Sequence, residues 1–351
     1  MTYPRFQQGS HIFENLASIS SEIPIFPSFP STEVFTGSTK PTMEHIIMDL
    51  FSLASPTIDA YDVSADQTVS GMTKAALIAS MVTSSPEKWG PSSHMLAIHS
   101  LACHPHGTLL CNPQIPIVFK DNTIVQLDGE RPAWDSSFCP PGSLTEIHVD
   151  YHGAAVLMVN IHCNKLWLLW PATSRNLKWW EKYHTRAFNG ASITSDALTH
   201  LEGLQVIHAT NSKAFILPPY HLHAVFTFEA SAHSGIALWG FPWWEESRKG
   251  IEWEINWALN HSVHGCSAMD ALNVLKSIKN ESLGYWQEVA NRFPQHEQAA
   301  SVREWLASTD DYIQHALDTI ETYVESGHSN ILCKRKATDA PRTSKKKRRS
   351  N

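Results

Sequence analysis

The chain has 351 residues, 42% of them apolar and 17% charged, so it can bury a sizeable core and is too apolar to be disordered throughout. Its net charge of −7 is unevenly spread. Lys334–Asn351 holds nine Lys or Arg and one Asp, a local +8, which leaves 18 basic and 33 acidic side chains, −15, on the rest. A body of that sign argues against nucleic-acid binding over its bulk, because phosphate contacts need a basic footprint. The six Cys, with no CxxC pair, argue against a zinc ribbon and are too sparse for a disulfide scaffold; reduced thiols are expected. No basic segment followed by an apolar run opens the chain, and no apolar run nears about 18 residues. Neither a signal peptide nor a membrane span is expected.

Residues 1–42 are rich in Ser, Thr, Pro and Phe and read as an extended or disordered leader. Residues 43–93 read as an N-terminal helical segment, with helices over 43–54 and 71–84. From about 94 to 244 the texture changes. Short apolar runs at 115–119, 123–127, 154–162, 165–170, 203–209, 213–218, 223–230 and 234–241 are separated by Pro, Gly, Asn and Asp. They predict strands at the spacing of an all-β barrel or sandwich. A polar, aromatic stretch at 174–200 interrupts them as a helix-containing insertion. Residues 245–328 read as a C-terminal helical region, with helices at 245–261, 267–279, 282–293 and 296–326. The last carries Val302, Leu306, Ile313, Leu317 and Ile320 at helical spacing. Packing on its own domain is the default for such a helix, and a homodimer interface is the alternative. Residues 329–351 read as a disordered basic tail.

The sharpest chemical signal lies in TEIHVDYHG. His148 and Asp150 are two apart, and alternate strand residues share a face, so both can address one metal. His223, entering a strand after a Pro-Pro turn, is the candidate third ligand. Two His and one carboxylate on one face of Fe(II) leave the opposite face open for substrate and O₂. The triplet alone says little: about two His-x-Asp/Glu triplets are expected by chance in this composition, and two occur. The second, His200-Leu-Glu202, lacks flanking strands, whereas His148 opens a long β-rich run.

Thr145-x-x-His148-x-Asp150, then Lys165 in NKLWLLWP and His223 in LPPYHLHAV, resemble a JmjC domain, over roughly 100–242. JmjC proteins are cupin-like 2-oxoglutarate oxygenases, and the likeness is to the asparaginyl-hydroxylase-like branch. The resemblance implies a mainly β fold, a double-stranded β-helix (jelly-roll) core with flanking helices. It implies Fe(II) bound by His148, Asp150 and His223, with Thr145 and Lys165 on the far carboxylate of 2-oxoglutarate. It also implies dioxygenase activity, hydroxylating or demethylating a protein or peptide side chain. A buried charge needs a partner, which gives an otherwise isolated Lys on an apolar strand a purpose. The chain departs from the family at Cys163, where a Gly is common, and after His223, where SGIALWGF lacks the usual small polar residue.

Two other readings stand beside this one: a non-catalytic JmjC-fold nuclear or chromatin-associated binding protein, and a cupin-like metalloenzyme that uses no 2-oxoglutarate. Cys103, His104, His106 and Cys111 form a minor second candidate for metal. The basic clusters at 334–336 and 345–349 resemble a bipartite nuclear import signal, predicting an import receptor as partner and a nuclear location, the cytoplasm otherwise.

Overall fold

The computed structural model describes residues 6–8, 32–33, 43–52, 55–62, 67–82, 96–103, 124–125, 134–150, 152–188, 193–210, 213–262 and 268–325. Most of the leader, the expected strand at 115–119, His104, His106, Cys111 and the basic tail lie outside them. The strands are β1 (Phe6–Gln8), β2 (Thr32–Glu33), β3 (Thr57–Asp62), β4 (Gln67–Thr73), β5 (Leu96–Cys103), β6 (Ile124–Val125), β7 (Trp134–Cys139), β8 (Ser143–Val149), β9 (Ala155–His162), β10 (Asn164–Trp170), β11 (Gln205–Thr210), β12 (Lys213–Leu217), β13 (Leu222–Thr227) and β14 (Ser231–Gly240). The helices are α1 (Met43–Ser52), α2 (Lys74–Val82), α3 (Ser174–Phe188), α4 (Thr194–His200), α5 (Trp244–Ser262), α6 (Ala268–Ser277), α7 (Leu283–Arg292) and α8 (Ala299–Glu325).

The protein is mainly antiparallel sheet with several helices. A five-stranded sheet runs β1-β8-β13-β10-β11, and a nine-stranded one runs β2-β12-β9-β14-β7-β5-β3-β4 with β6 on β14. None of its described helices is long and apolar enough to cross a membrane. The expected helical segment 43–93 is only partly helical: between α1 and α2 lie β3 and β4, paired with each other and, through β5, with the larger sheet. Their sequences, TIDAYD and QTVSGMT, alternate over so few residues that the neighbouring helical periodicity dominates the reading. β7, WDSSFC, was also unforeseen. It is too polar to read as a strand, and its ladders to β5 and β14 hold it in the sheet.

The inner faces meet in one apolar core. Trp167, Leu169, Ala209 and Val225 of the smaller sheet pack with Phe215 and Leu217 of the larger, and with Cys163 between them in sequence. The insertion forms α3 and α4 between β10 and β11. Asn176 closes its base: its amide N–H₂ donates to the Pro171 and Glu202 carbonyls, and its oxygen accepts from the Glu202 N–H.

By internal contacts the chain forms two compact units, divided between Gly250 and Ile251. The division lies inside α5, six residues past the expected one. The reason is local. Ser247 Oγ donates to the Gly153 carbonyl, and a Cβ on Gly250 would sit 1.8 Å from the Tyr220 ring. Only glycine lets the helix approach that closely. In the second unit, α8 buries Val302, Leu306, Ile313, Leu317 and Ile320, the stripe expected of it. Lys276 pairs with Glu321 and Lys279 with Asp310 across α6 and α8.

Candidate metal centre

β8 and β13 are antiparallel neighbours, and His148 lies directly opposite His223 in their register. Opposed residues share a face, so the two rings meet, with centroids 4.0 Å apart. Asp150 follows the end of β8. One of its oxygens lies 3.8 Å from His148 Nε2 and the other 3.7 Å from His223 Nε2. A set of ligand atoms from the three residues lies within 4.8 Å of one another. Bonds of about 2.1 Å put ligand atoms on one face of a metal about 3 Å apart, and the carboxylate–imidazole distances of 3.7 and 3.8 Å are somewhat wider than that.

The tautomers are fixed by the backbone. His148 Nδ1 lies 2.9 Å from the Glu146 carbonyl and His223 Nδ1 lies 3.0 Å from the His221 carbonyl. A carbonyl can only accept, so each Nδ1 carries a proton, and in the neutral ring Nε2 keeps its lone pair for the gap. Burial, reinforced by the neighbouring His223, lowers His148 from 6.5 to about 4, and burial lowers His221 likewise to about 4. Neutral imidazole is the form a metal needs. Between pH 6.5 and 4 the unfolded chain protonates these two rings and the folded chain does not, so metal-free protein loses stability as pH falls through that window. Each ring accounts for up to about 3 kcal/mol. Urea midpoints of metal-free protein should fall between pH 7 and pH 5; equal midpoints would contradict neutral rings.

Thr145 and His148 are three residues apart, which strict alternation would put on opposite faces. Thr145 opposes Val225 while His148 opposes His223, so Glu146 and Ile147 together face Ala224 alone. This extra residue is a β-bulge, and it turns Thr145 and His148 to the same side. Thr194, at the start of α4, pins the bulge. Its hydroxyl accepts from the Ile147 N–H and donates to the Glu146 carboxylate, which also accepts from the Thr194 N–H. Glu146 is buried. Thr194→Val keeps the shape but leaves the Ile147 N–H without an acceptor and the carboxylate short of a donor. The expected cost is about 2–4 kcal/mol of stability and about 10–100-fold in metal affinity. Urea unfolding and a Co(II) titration check this; parent-like values in both would refute the role given to the bulge.

Lys165 is 1% exposed. It opposes Thr227, Trp167 opposes Val225, and Leu169 opposes His223. Lys165 therefore shares the inner face of the sheet with His223, Val225 and, across β13, Thr145. Its amine lies 2.9 Å from His233 Nδ1 and 3.2 Å from Cys139 Sγ. Among the described residues no carboxylate pairs with it. Trp167 stands between the two clusters, its ring 5.9 Å from that of His223 and 5.6 Å from that of His233.

All five expected site residues are thus on or beside one inner face. His233 was not foreseen, because it stands one residue before the SGIALWGF run, which starts at Ser234; extending the alternation back from Gly235 finds it. The second triplet is structural: Glu202 pairs with Arg175, and His200 Nδ1 lies 2.7 Å from the Asp196 carbonyl. Cys139 and Cys163 are free and buried. Burial pushes the Cys163 thiol up to about 12, which makes it a packing residue. Trp180 and Trp244 are buried as well. No family model matches the chain, and no curated protein matches it either.

Proposed function

We propose that the chain is an Fe(II)- and 2-oxoglutarate-dependent dioxygenase of the JmjC type that hydroxylates or demethylates a protein or peptide side chain. The observation that carries this reading is the convergence of His148, Asp150 and His223 with both Nε2 atoms facing the carboxylate. The double-stranded β-helix reading draws support from the order of the strands: β7, β9, β12 and β14 adjoin in one sheet, and β8, β10, β11 and β13 in the other, as two interleaved Greek keys would lie.

In this reading the three ligands hold Fe(II), and Lys165 and Thr145 take the far carboxylate of 2-oxoglutarate. Iron and 2-oxoglutarate with O₂ supply the insertion of one oxygen atom into a C–H bond, with succinate and CO₂ as co-products. The protein's own part is orientation and dryness. The two backbone carbonyls hold the imidazoles as neutral ligands. Trp167, Leu169 and Val225 keep water from the inner face, where a charge-assisted bond to Lys165 is strongest. Asp150, with its side chain 39% exposed, is the side from which a polypeptide substrate would approach. An acidic body favours a basic one.

A reading as a metal-binding protein without 2-oxoglutarate, catalytic or not, has one observation in its favour: the Lys165 amine already has two partners inside the core. Anaerobic titration of Fe(II)-loaded protein with 2-oxoglutarate, followed by succinate release on admitting O₂, separates the two. Bound iron with no 2-oxoglutarate binding would sink the oxygenase reading. Binding without succinate release would leave a non-catalytic fold. The basic tail is proposed as a nuclear address. Deleting 334–349 should move a fluorescent fusion out of the nucleus.

A further inference from the structure

A lysine amine has three N–H donors, no acceptor and a flexible four-carbon stem. To receive one carboxylate in a fixed place, it must be held by something else. Lys165 is held from the opposite sheet. His233, on β14, is buried and offers Nδ1 at 2.9 Å, and Cys139 Sγ, at the end of β7, lies at 3.2 Å. Since Lys only donates, His233 Nδ1 accepts. The His233 ring is braced edge-on by Trp167, which stacks in turn on the metal-side His223.

We propose that His233 is the positioning residue of Lys165. It takes one N–H, Cys139 takes a second more weakly, and the third is left for the far carboxylate of the co-substrate. This rests on the oxygenase reading above. The chemistry of the holder matters. An Asp or Glu at 233 would fix the amine just as well, but it would neutralise the charge that the ligand must find. A neutral imidazole orients the amine and leaves its charge to the ligand. His233 meets the Lys165 amine and is not one of the three candidate metal ligands, so in this reading its effect should fall on the far carboxylate.

The test is calorimetric titration of the full chain, loaded with Mn(II) in the absence of O₂, with 2-oxoglutarate and with pyruvate, a 2-oxoacid that lacks the far carboxylate. His233→Leu is expected to weaken 2-oxoglutarate about 10–100-fold while Mn(II) and pyruvate affinities stay at parent values. His233→Asn, whose amide oxygen sits near the position of Nδ1, should restore most of the loss. His233→Gln, which carries its oxygen further out, should not, and this pair gives the same contrast if leucine is not tolerated. Parent-like 2-oxoglutarate binding by the Leu and Gln variants would overturn the proposal. So would equal losses of 2-oxoglutarate and pyruvate, which mark a general loosening. Parent protein that binds Mn(II) but no 2-oxoglutarate would overturn the oxygenase reading itself, an outcome distinct from the other two.

Discussion

Asp150→Ala is expected to abolish tight metal binding while leaving the metal-free protein as stable as the parent. Of the three candidate ligands, the carboxylate is the one whose charge is opposite to a metal's. Losing a group that merely orients a ligand costs about 10–100-fold in affinity, so losing the ligand should cost more than about 100-fold. The metal-free fold should not notice. Asp150 lies past the end of β8, its side chain is 39% exposed, and its contacts with the two imidazoles are no closer than 3.7 Å. Substitutions at such positions usually stay within about 0.5 kcal/mol. Co(II) titration and urea unfolding of the same preparation make the comparison. Co(II) binding at parent affinity by Asp150→Ala would remove the metal centre from consideration. His223→Ala would be a poorer probe, because that ring is 2% exposed and packs on Trp167, so loss of metal would be mixed with loss of core.

Lys165→Met is expected to separate stability from function at the other end of the site. Methionine matches most of the stem and removes the amine from a core that holds no carboxylate for it among the described residues. A buried cation held only by a neutral ring and a thiol is a cost to the fold, and apolar replacement of buried charges is often neutral or stabilising. Against that stands the hydrogen bond lost to His233. Metal-free stability should therefore be unchanged or raised by about 1–2 kcal/mol. 2-Oxoglutarate affinity should fall about 100-fold or more, the cost of leaving a buried carboxylate without its cation. Urea unfolding and calorimetry read the two numbers. A loss of more than about 3 kcal/mol in stability would make Lys165 a structural residue.

The candidate ligand triad was legible in the sequence only through its surroundings. His148-Val-Asp150 and His200-Leu-Glu202 are equal as patterns, and the strand texture after His148 separates them. Thr145 was legible through resemblance but not through geometry. Its three-residue spacing from His148 contradicts strand alternation, and only the bulge at Glu146 and Ile147, held by a threonine 47 residues away, reconciles them. Side-chain anchors of that range leave no local trace. β7 is similar: WDSSFC is a strand because its neighbours make it one. The helices from α5 to α8 were close to their expected ends, because each carries its own period of buried residues and needs no partner to reveal it.

The three candidate ligands do not stand on equal footing. The two imidazoles are set on adjacent strands, tied to backbone carbonyls and packed against each other, so neither can move without disturbing the sheet. The carboxylate is on the segment just beyond, half open to water. As a metal centre it would work like a vice with one fixed jaw and one sliding jaw. In the metal-binding reading, ions of different radius would be accommodated mainly by Asp150, the more exposed of the three. Exchange rates should then respond to residues flanking Asp150, such as His152, far more than to changes around the imidazoles, whose effects should fall on affinity.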